Sequence, residues 1–292
     1  MIQAIWRELR PTQWTKNLVV LAGVVFAHQL RDPVQLRHAA LAALLFCALS
    51  SAGYVLNDVR DRERDRVHPR KQNRPIASGR LPVSVGVAVG LGLAVGGLIG
   101  AYALGRALGQ VATVYLCVSL LYSLVLKRVV LLDVITIALG FVLRAVAGVA
   151  ALQPTPELSP WLLVCTFFLA LFMSVGKRRH ERLTLSEEAA RHRATLTEYS
   201  PQLLDQLVPV VTSSTILTYA IYTISPATTE HVAPARMVLT IPFVTYGIFR
   251  YLYLVYHKGS GGTPSELLLG DPPLLIDVVL WGAAVVALLY LP

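Results

Sequence analysis

All-α and membrane-spanning is the architecture to expect from this chain of 292 residues. Hydrophobic residues make up 55% of it and charged residues only 15%, with a mean hydropathy of +0.59, a balance that a wetted soluble surface hardly tolerates. Apolar runs, most of them near the roughly 20 residues that cross a hydrocarbon core, fill nearly the whole length. They lack the alternation of barrel strands, and an open sheet would leave backbone groups unsatisfied in lipid.

Taken in order, the runs fall at about 17–30, 38–56, 82–104, 107–126, 131–152, 159–176, 203–225, 236–256 and 273–291, which gives nine candidate helices. The first is short and spans only if Trp14 and Lys16 anchor its end at the interface. No Pro/Ser-rich linker divides the chain, so 1–292 reads as a single membrane domain. Cys47, Cys117 and Cys165 lie inside apolar runs without disulfide or zinc spacing, and core packing is their expected role. The polar N-terminus shows no small-residue cleavage site and hence no secretory signal.

Charge sorts by loop. Of 26 Lys and Arg residues, the N-terminal tail carries three, the loop at 57–81 eight, 127–130 two, 177–202 six and 257–272 one, whereas the intervening loops hold only Arg31, Arg37, Arg106 and Arg236. The positive-inside rule then places the N-terminus and both long basic loops in the cytoplasm, and nine spans leave the C-terminus outside. The net charge of +9 is thus topogenic and suits anionic lipid, and no nucleic-acid partner is expected. Integration into the plasma (inner) membrane follows, and the sequence leaves room for a homo-oligomer. Arg144 and Arg250 fall within spans, where a buried cation demands a partner.

The loop after the second span carries more than bulk charge. In Asn57-Asp58-Val-Arg60-Asp61-Arg62-Glu63-Arg64-Asp65-Arg66 the three aspartates stand at i, i+3 and i+7. On a helix they fall within about 60° of one another, with Asn57 at the edge of the same face. Like charges so spaced destabilise a bare helix, so a cation should compensate them. Hard oxygen ligands suit Mg²⁺, which is commonly held by one or two carboxylates together with substrate phosphates; Mn²⁺ could substitute. The plainer alternative is a solvated helix whose aspartates pair with Arg60, Arg62, Arg64 and Arg66. Clustering on one face at the end of a span favours the metal.

NDxxDxxxD at 57–65, followed by Arg74-Pro75-Ile-Ala-Ser78-Gly79, resembles the first aspartate-rich motif and the trailing RPxxSG segment of the UbiA superfamily of intramembrane prenyltransferases. The resemblance covers nearly the whole chain. It implies a helical bundle around a central cavity, capped on the cytoplasmic side by the loops at 57–81 and 177–202, with Mg²⁺-bound diphosphate beneath them. Asn57, Asp58, Asp61 and Asp65 would be the metal ligands.

Most superfamily members carry a second carboxylate motif, DxxxD, after the sixth span. Here the chain reads Gly176-Lys177-Arg178-Arg179-His180-Glu181-Arg182, with Lys177 one turn before Glu181. Positive charge has replaced negative, which suits a cavity that receives two phosphorylated substrates. Together with Arg10-Pro11-Thr-Gln13-Trp14-Thr-Lys16-Asn17, this resembles the decaprenyl-phosphate phosphoribosyltransferase branch, which carries RPxQWxKN at its first helix. That branch transfers 5-phosphoribose from phosphoribosyl diphosphate to a polyprenyl phosphate, toward lipid-linked arabinose for cell-wall glycans. Without the resemblance, Trp14 and Lys16 read equally well as an interfacial anchor.

The implied chemistry is electrostatic. Metal on the Asp58/Asp61/Asp65 face neutralises the departing diphosphate as the anomeric carbon gains oxocarbenium character, and the acceptor phosphate, already ionised, needs no general base. Displacement in line inverts the anomeric centre. Asp58, Asp61, Asp65 and Lys177 are the catalytic candidates, and Arg10, Gln13, Lys16, Asn17, Arg74, Tyr122, Lys127, Arg128, Lys177, Arg178, Glu181 and Tyr199 the substrate-binding ones. Tyr199 is expected over the cavity mouth or at the interface, and Asp133 in an ion pair with Arg128. Gly259 to Glu266, with Thr263 as N-cap and Pro264 at N1, reads as a helix start and a weak phosphate site. Two other functions compete: prenyl transfer from a prenyl diphosphate to an aromatic acceptor, which the basic second motif disfavours, and lipid transport without chemistry, for which no convincing inverted repeat is present.

Overall fold

The computed structural model describes residues 1–67, 71–185, 194–225, 236–257 and 264–291, and the glycine-rich stretch at 259–263 lies outside them. The described residues form helices joined by turns and short connections, without strands. Among them eight helices are long and apolar enough to cross a membrane, and the chain is an integral membrane protein of all-α fold. Its contacts divide into two compact units, Met1–Lys127 with Leu143–Pro156, and Arg128–Val142 with Glu157–Pro292.

The first unit opens with a short helix, α1 (Ile2–Glu8), and a 3₁₀ stretch, Pro11–Leu21, that runs into α2 (Ala22–Phe26). The candidate span expected at 17–30 is therefore built differently, starting earlier and wound more tightly. Next come α3 (Pro33–Arg66), α4 (Val83–Leu104) and α5 (Arg106–Leu124). Asp32 caps α3, accepting from the amides of Val34 and Gln35, with Pro33 supplying the first-turn position that needs no donor. At its other end α3 does not stop where the apolar run stops. It continues through Arg66, so residues 57–66 of the expected loop are helix.

Helix α4 lies against α3 along small residues. A Cβ on Gly90 would sit 3.1 Å from Leu56 Cγ, and one on Gly97 would sit 2.8 Å from Leu49 Cδ2. Helices in lipid gain little from the hydrophobic effect and associate through such close approach. Val20, Phe46, Leu49, Leu108 and Tyr115 fill the core beneath, joined by Ala147 from α6 (Leu132–Ala150), whose first half belongs to the second unit.

The second unit continues with α7 (Pro160–Leu185), α8 (Pro201–Ile224), α9 (Ile241–His257), α10 (Pro264–Gly270) and α11 (Pro272–Tyr290). Its core gathers Val134, Phe172, Leu204, Val208, Ile248 and Leu254. Hydroxyls within α8 are satisfied locally: Thr212 donates to the Val208 carbonyl at 2.7 Å and Thr215 to that of Val211 at 2.6 Å. Arg250 donates twice, at 3.0 and 2.9 Å, to Asp271, which also caps α11. The cysteines depart from expectation: Cys47 and Cys165 are half-buried and Cys117 is exposed, so none is a fully packed core residue.

Candidate functional site

The carboxylate face stands at the C-terminal end of α3, and cations from three other segments hold it. Arg10 and Arg74 both donate to Asp58, Arg74 at 3.0 Å, and Arg74 also reaches Asp65 at 2.5 Å. Lys127 bridges Asp61 at 2.6 Å and the Asn57 side-chain oxygen at 2.9 Å. The arginines of the helix itself point elsewhere, Arg60 to the Leu124 carbonyl, Arg62 to Glu63, and Arg66 to Glu63 and the Ala77 carbonyl. The aspartates are thus paired with cations from outside the helix and not with Arg60, Arg62 or Arg66. Asp58 is buried, its side chain only 1% exposed, which makes its two arginines a necessity.

Local sequence explains how each cation arrives. After Arg74, Ile76 and Leu81 plug fully into a core with Val55, and Gly79 turns the chain at φ +79°, a conformation that glycine alone adopts without strain. That turn, closed by Ser78 N–H to the Arg74 carbonyl at 2.9 Å, aims Arg74 at two aspartates. Arg10 is left-handed as well, at φ 54° and ψ 61°, which costs a non-glycine residue about 1 kcal/mol or more. Its ion pair with Asp58 and its position over the Tyr54 ring, 5.2 Å from the centroid, hold it there. Lys127 sits on a single 3₁₀ turn, Leu126–Arg128, just beyond α5.

The segment from Arg10 to Asn17 is fastened to α3 rather than floating as an interfacial anchor. Trp14 donates to Ser51 Oγ at 3.0 Å, and Ser51 donates to the Leu9 carbonyl at 2.9 Å. Asn17 donates to Ser50 at 3.2 Å and accepts from Arg144 at 2.8 Å. Arg144, the span cation without an evident companion in sequence, is completed by the Tyr115 hydroxyl at 2.6 Å and packs on that ring. Lys16 is half-buried on the same stretch, within electrostatic reach of Arg144 and Arg10. No acidic side chain among the described residues meets it. Arg10 and Gln13, with Trp6, Arg7, Pro11 and Thr12, line a cleft of about 350 Å³. Tyr122 is half-buried on α5.

One residue of this site was not expected. Glu8, the last residue of α1, is 2% exposed, and neither of its oxygens accepts a hydrogen bond of good geometry. Its polar neighbours are the Asp58 carboxyl and the Ile76 amide. Burial first, and then hydrogen bonding and charge from Asp58, push its carboxyl up to about 8. The one available signal was an acidic residue two positions before an otherwise basic motif.

Within the second unit the basic segment forms its own network. Arg178, 3% exposed, donates to Asp133 at 2.9 Å and to Glu181 at 2.6 Å, while Lys177 approaches Glu181 at 3.7 Å. Tyr199 donates to Asp133 at 2.6 Å and accepts from the Leu131 amide at 2.9 Å. Asp133 therefore pairs with Arg178, not with Arg128, because the α7 guanidinium reaches it in a dry site while Arg128 stays exposed. Tyr199 is fully buried rather than interfacial, and burial followed by the Asp133 carboxylate raises its hydroxyl above the ordinary phenol range.

Among the described residues no group of three or more His, Cys, Asp or Glu side chains converges as a ready metal cage. Arg74 stands between Asp58 and Asp65, and Lys127 draws Asp61 toward Asn57. The donor chemistry nonetheless fits a hard divalent cation, with carboxylate and amide oxygens on one face and an orphaned carboxyl beside them.

The sequence profile of the UbiA prenyltransferase family matches residues 17–265. The chain belongs to this family. Among curated relatives, the decaprenyl-phosphate phosphoribosyltransferase of Corynebacterium glutamicum is 36% identical, over 98% of this chain and 86% of that one. Its namesake from Mycolicibacterium smegmatis is 33% identical, over 99% and 93%. Among solved structures, a UbiA homolog from Archaeoglobus fulgidus bound to DMAPP and Mg²⁺ superposes with a TM-score of 0.74 at 18% identity, covering 99% of both chains. That likeness shows the UbiA fold, and the named motifs at 57–65 and 74–79 occupy one end of α3 and the turn that follows it.

Proposed function

We propose that this UbiA-family protein transfers 5-phosphoribose from phosphoribosyl diphosphate to a polyprenyl phosphate, releasing diphosphate, in a reaction that depends on a divalent metal. The relatives named for decaprenyl-phosphate phosphoribosyl transfer, similar over nearly the full chain, support the reaction class. The observation that carries the reading is three cations, Arg10, Arg74 and Lys127, brought from separate segments onto the carboxylate face of α3. Cations and metal-ligating oxygens on one face suit a diphosphate group.

Asn57, Asp58, Asp61 and Asp65 would hold Mg²⁺, which when bound supplies charge neutralisation at the leaving diphosphate. The chain's own residues do the rest. Arg10, Arg74 and Lys127, which grip the carboxylates here, turn to diphosphate oxygens as those carboxylates take the metal. Lys16, with Gln13 on the same segment, orients the acceptor phosphate, while Asn17, buried and bonded to Ser50 and Arg144, holds that segment to α3 instead of meeting substrate. Arg178, Glu181 and Tyr199 keep the second basic segment in shape. Tyr122 and Arg128 complete the substrate contacts. An ionised acceptor oxygen forms the new bond to the anomeric carbon as the bond to diphosphate breaks and its electron pair leaves with the diphosphate. No proton moves, so no general base is needed, and the anomeric centre inverts. The active site faces the cytoplasm of the plasma membrane, where phosphoribosyl diphosphate is available, and the product leads toward lipid-linked arabinose.

Labelled phosphoribosyl diphosphate, Mg²⁺ and a long polyprenyl phosphate incubated with purified protein should yield label in the organic phase, blocked by EDTA. Transfer from a prenyl diphosphate to an aromatic acid, with no lipid labelling, would replace this reading with the ordinary prenyl-transfer reaction. Asp61→Asn should abolish labelling while leaving the thermal unfolding midpoint nearly unchanged, because Asp61 is bound only at the rim of the helix and fills no core volume. Normal turnover by a folded Asp61→Asn protein would sink the metal role.

A further inference from the structure

We infer that Glu8 is a further carboxylate of the metal site, delivered by the N-terminal helix. This rests on the reading of the Asp58/Asp61/Asp65 face as a metal site and adds to it a ligand group from outside both named motifs. The observation is a buried carboxyl that is bonded to no cation among the described residues. Glu8 is 2% exposed, its two oxygens accept no hydrogen bond of good geometry, and the polar side chain beside it is another carboxyl, that of Asp58. Stranding such a group costs several kcal/mol unless a partner arrives.

The nearby cations are already committed. Arg10, two residues on, is bonded to Asp58, and Arg74 divides itself between Asp58 and Asp65. Glu8 does not lie there by accident of a loose terminus. Ala4, Ile5 and Leu9 of the same segment pack against the Val55–Ile76–Leu81 core, and the backbone at Leu9 is tied to Ser51 of α3. These contacts fix α1 so that its last side chain ends against the first aspartate of the face. A divalent cation at Asp58 would supply a countercharge to an ionised Glu8. It would also balance a dry site in which three carboxyls, Glu8, Asp58 and Asp65, meet two guanidinium groups.

The test is Mn²⁺ binding, read by electron paramagnetic resonance on the full-length protein in detergent, together with thermal unfolding in EDTA. Glu8→Gln keeps the shape and removes the charge; Glu8→Ala is the second variant. Both should bind Mn²⁺ about tenfold or more weakly than the natural protein, while unfolding in EDTA at the same or a higher temperature, since a costly buried acid has gone. Unchanged Mn²⁺ affinity in either folded variant, alongside lost affinity in Asp61→Asn, would overturn the role of Glu8 and leave the metal site standing. No Mn²⁺ binding by the natural protein would overturn both. Weaker binding accompanied by a large fall in the EDTA unfolding temperature in both variants would make Glu8 a packing residue and overturn the assignment.

Discussion

Lys16 offers a test at the level of a single charge. Binding an acceptor phosphate needs a cation there, so Lys16→Gln should raise the KM for the polyprenyl phosphate about tenfold or more, whereas Lys16→Arg, which stays charged, should largely keep it. Equal KM values in the natural protein and Lys16→Gln would remove Lys16 from phosphate binding. At this scale the sequence was legible where periodicity carried the signal: Asp58, Asp61 and Asp65 share a face because helical spacing dictates it. It was illegible where partners lie far along the chain. Nothing at positions 10, 74 and 127 announces that these cations meet that face, and nothing at position 17 announces Arg144.

At the level of elements, the departures from expectation come from backbone approach. A Cβ on Gly148 of α6 would lie 2.0 Å from the Val20 carbonyl oxygen, and one on Gly23 of α2 would lie 2.3 Å from the Gly148 carbonyl carbon. Both obstacles are backbone, so no rotamer change relieves them. Gly148→Ala should lower stability by about 1–3 kcal/mol or more, read as a lower unfolding midpoint in detergent. Gly96 of α4, which has nothing within 4 Å of its added Cβ, should accept alanine without loss. Equal midpoints for the two variants would contradict the packing. Spacing within α6 does not distinguish Gly148 from the glycines of α4, because its partner is the turn-wound Pro11–Leu21 stretch, whose 3₁₀ form no apolar period predicts.

That stretch decides the topology of the whole chain. It runs antiparallel along α3: Arg10 meets Asp58, Trp14 meets Ser51, Asn17 meets Ser50, Val20 shares a core with Phe46 and Ala42, and Val24 shares one with Ala39. From Ala39 to Asp58, α3 rises roughly 30 Å at about 1.5 Å per residue, the thickness of a hydrocarbon core. Eleven residues at about 2.0 Å and five at about 1.5 Å cover nearly the same distance. The 3₁₀ winding thus lets a segment too short for an α-helical span keep pace with one, which is why residue counting alone leaves it doubtful. Counted as a crossing beside the eight long helices among the described residues, this stretch predicts termini on opposite sides. The charge distribution predicts a cytoplasmic N-terminus, since Arg7, Arg10 and Lys16 would then share a side with the two long basic loops. Alkaline phosphatase fused after Leu291 should be active and a fluorescent protein fused there dark, with the reverse at Met1. The same reporter behaviour at both ends would mean that the Pro11–Phe26 stretch enters the membrane without crossing it, and the basic loops would then owe their side to the remaining eight helices alone.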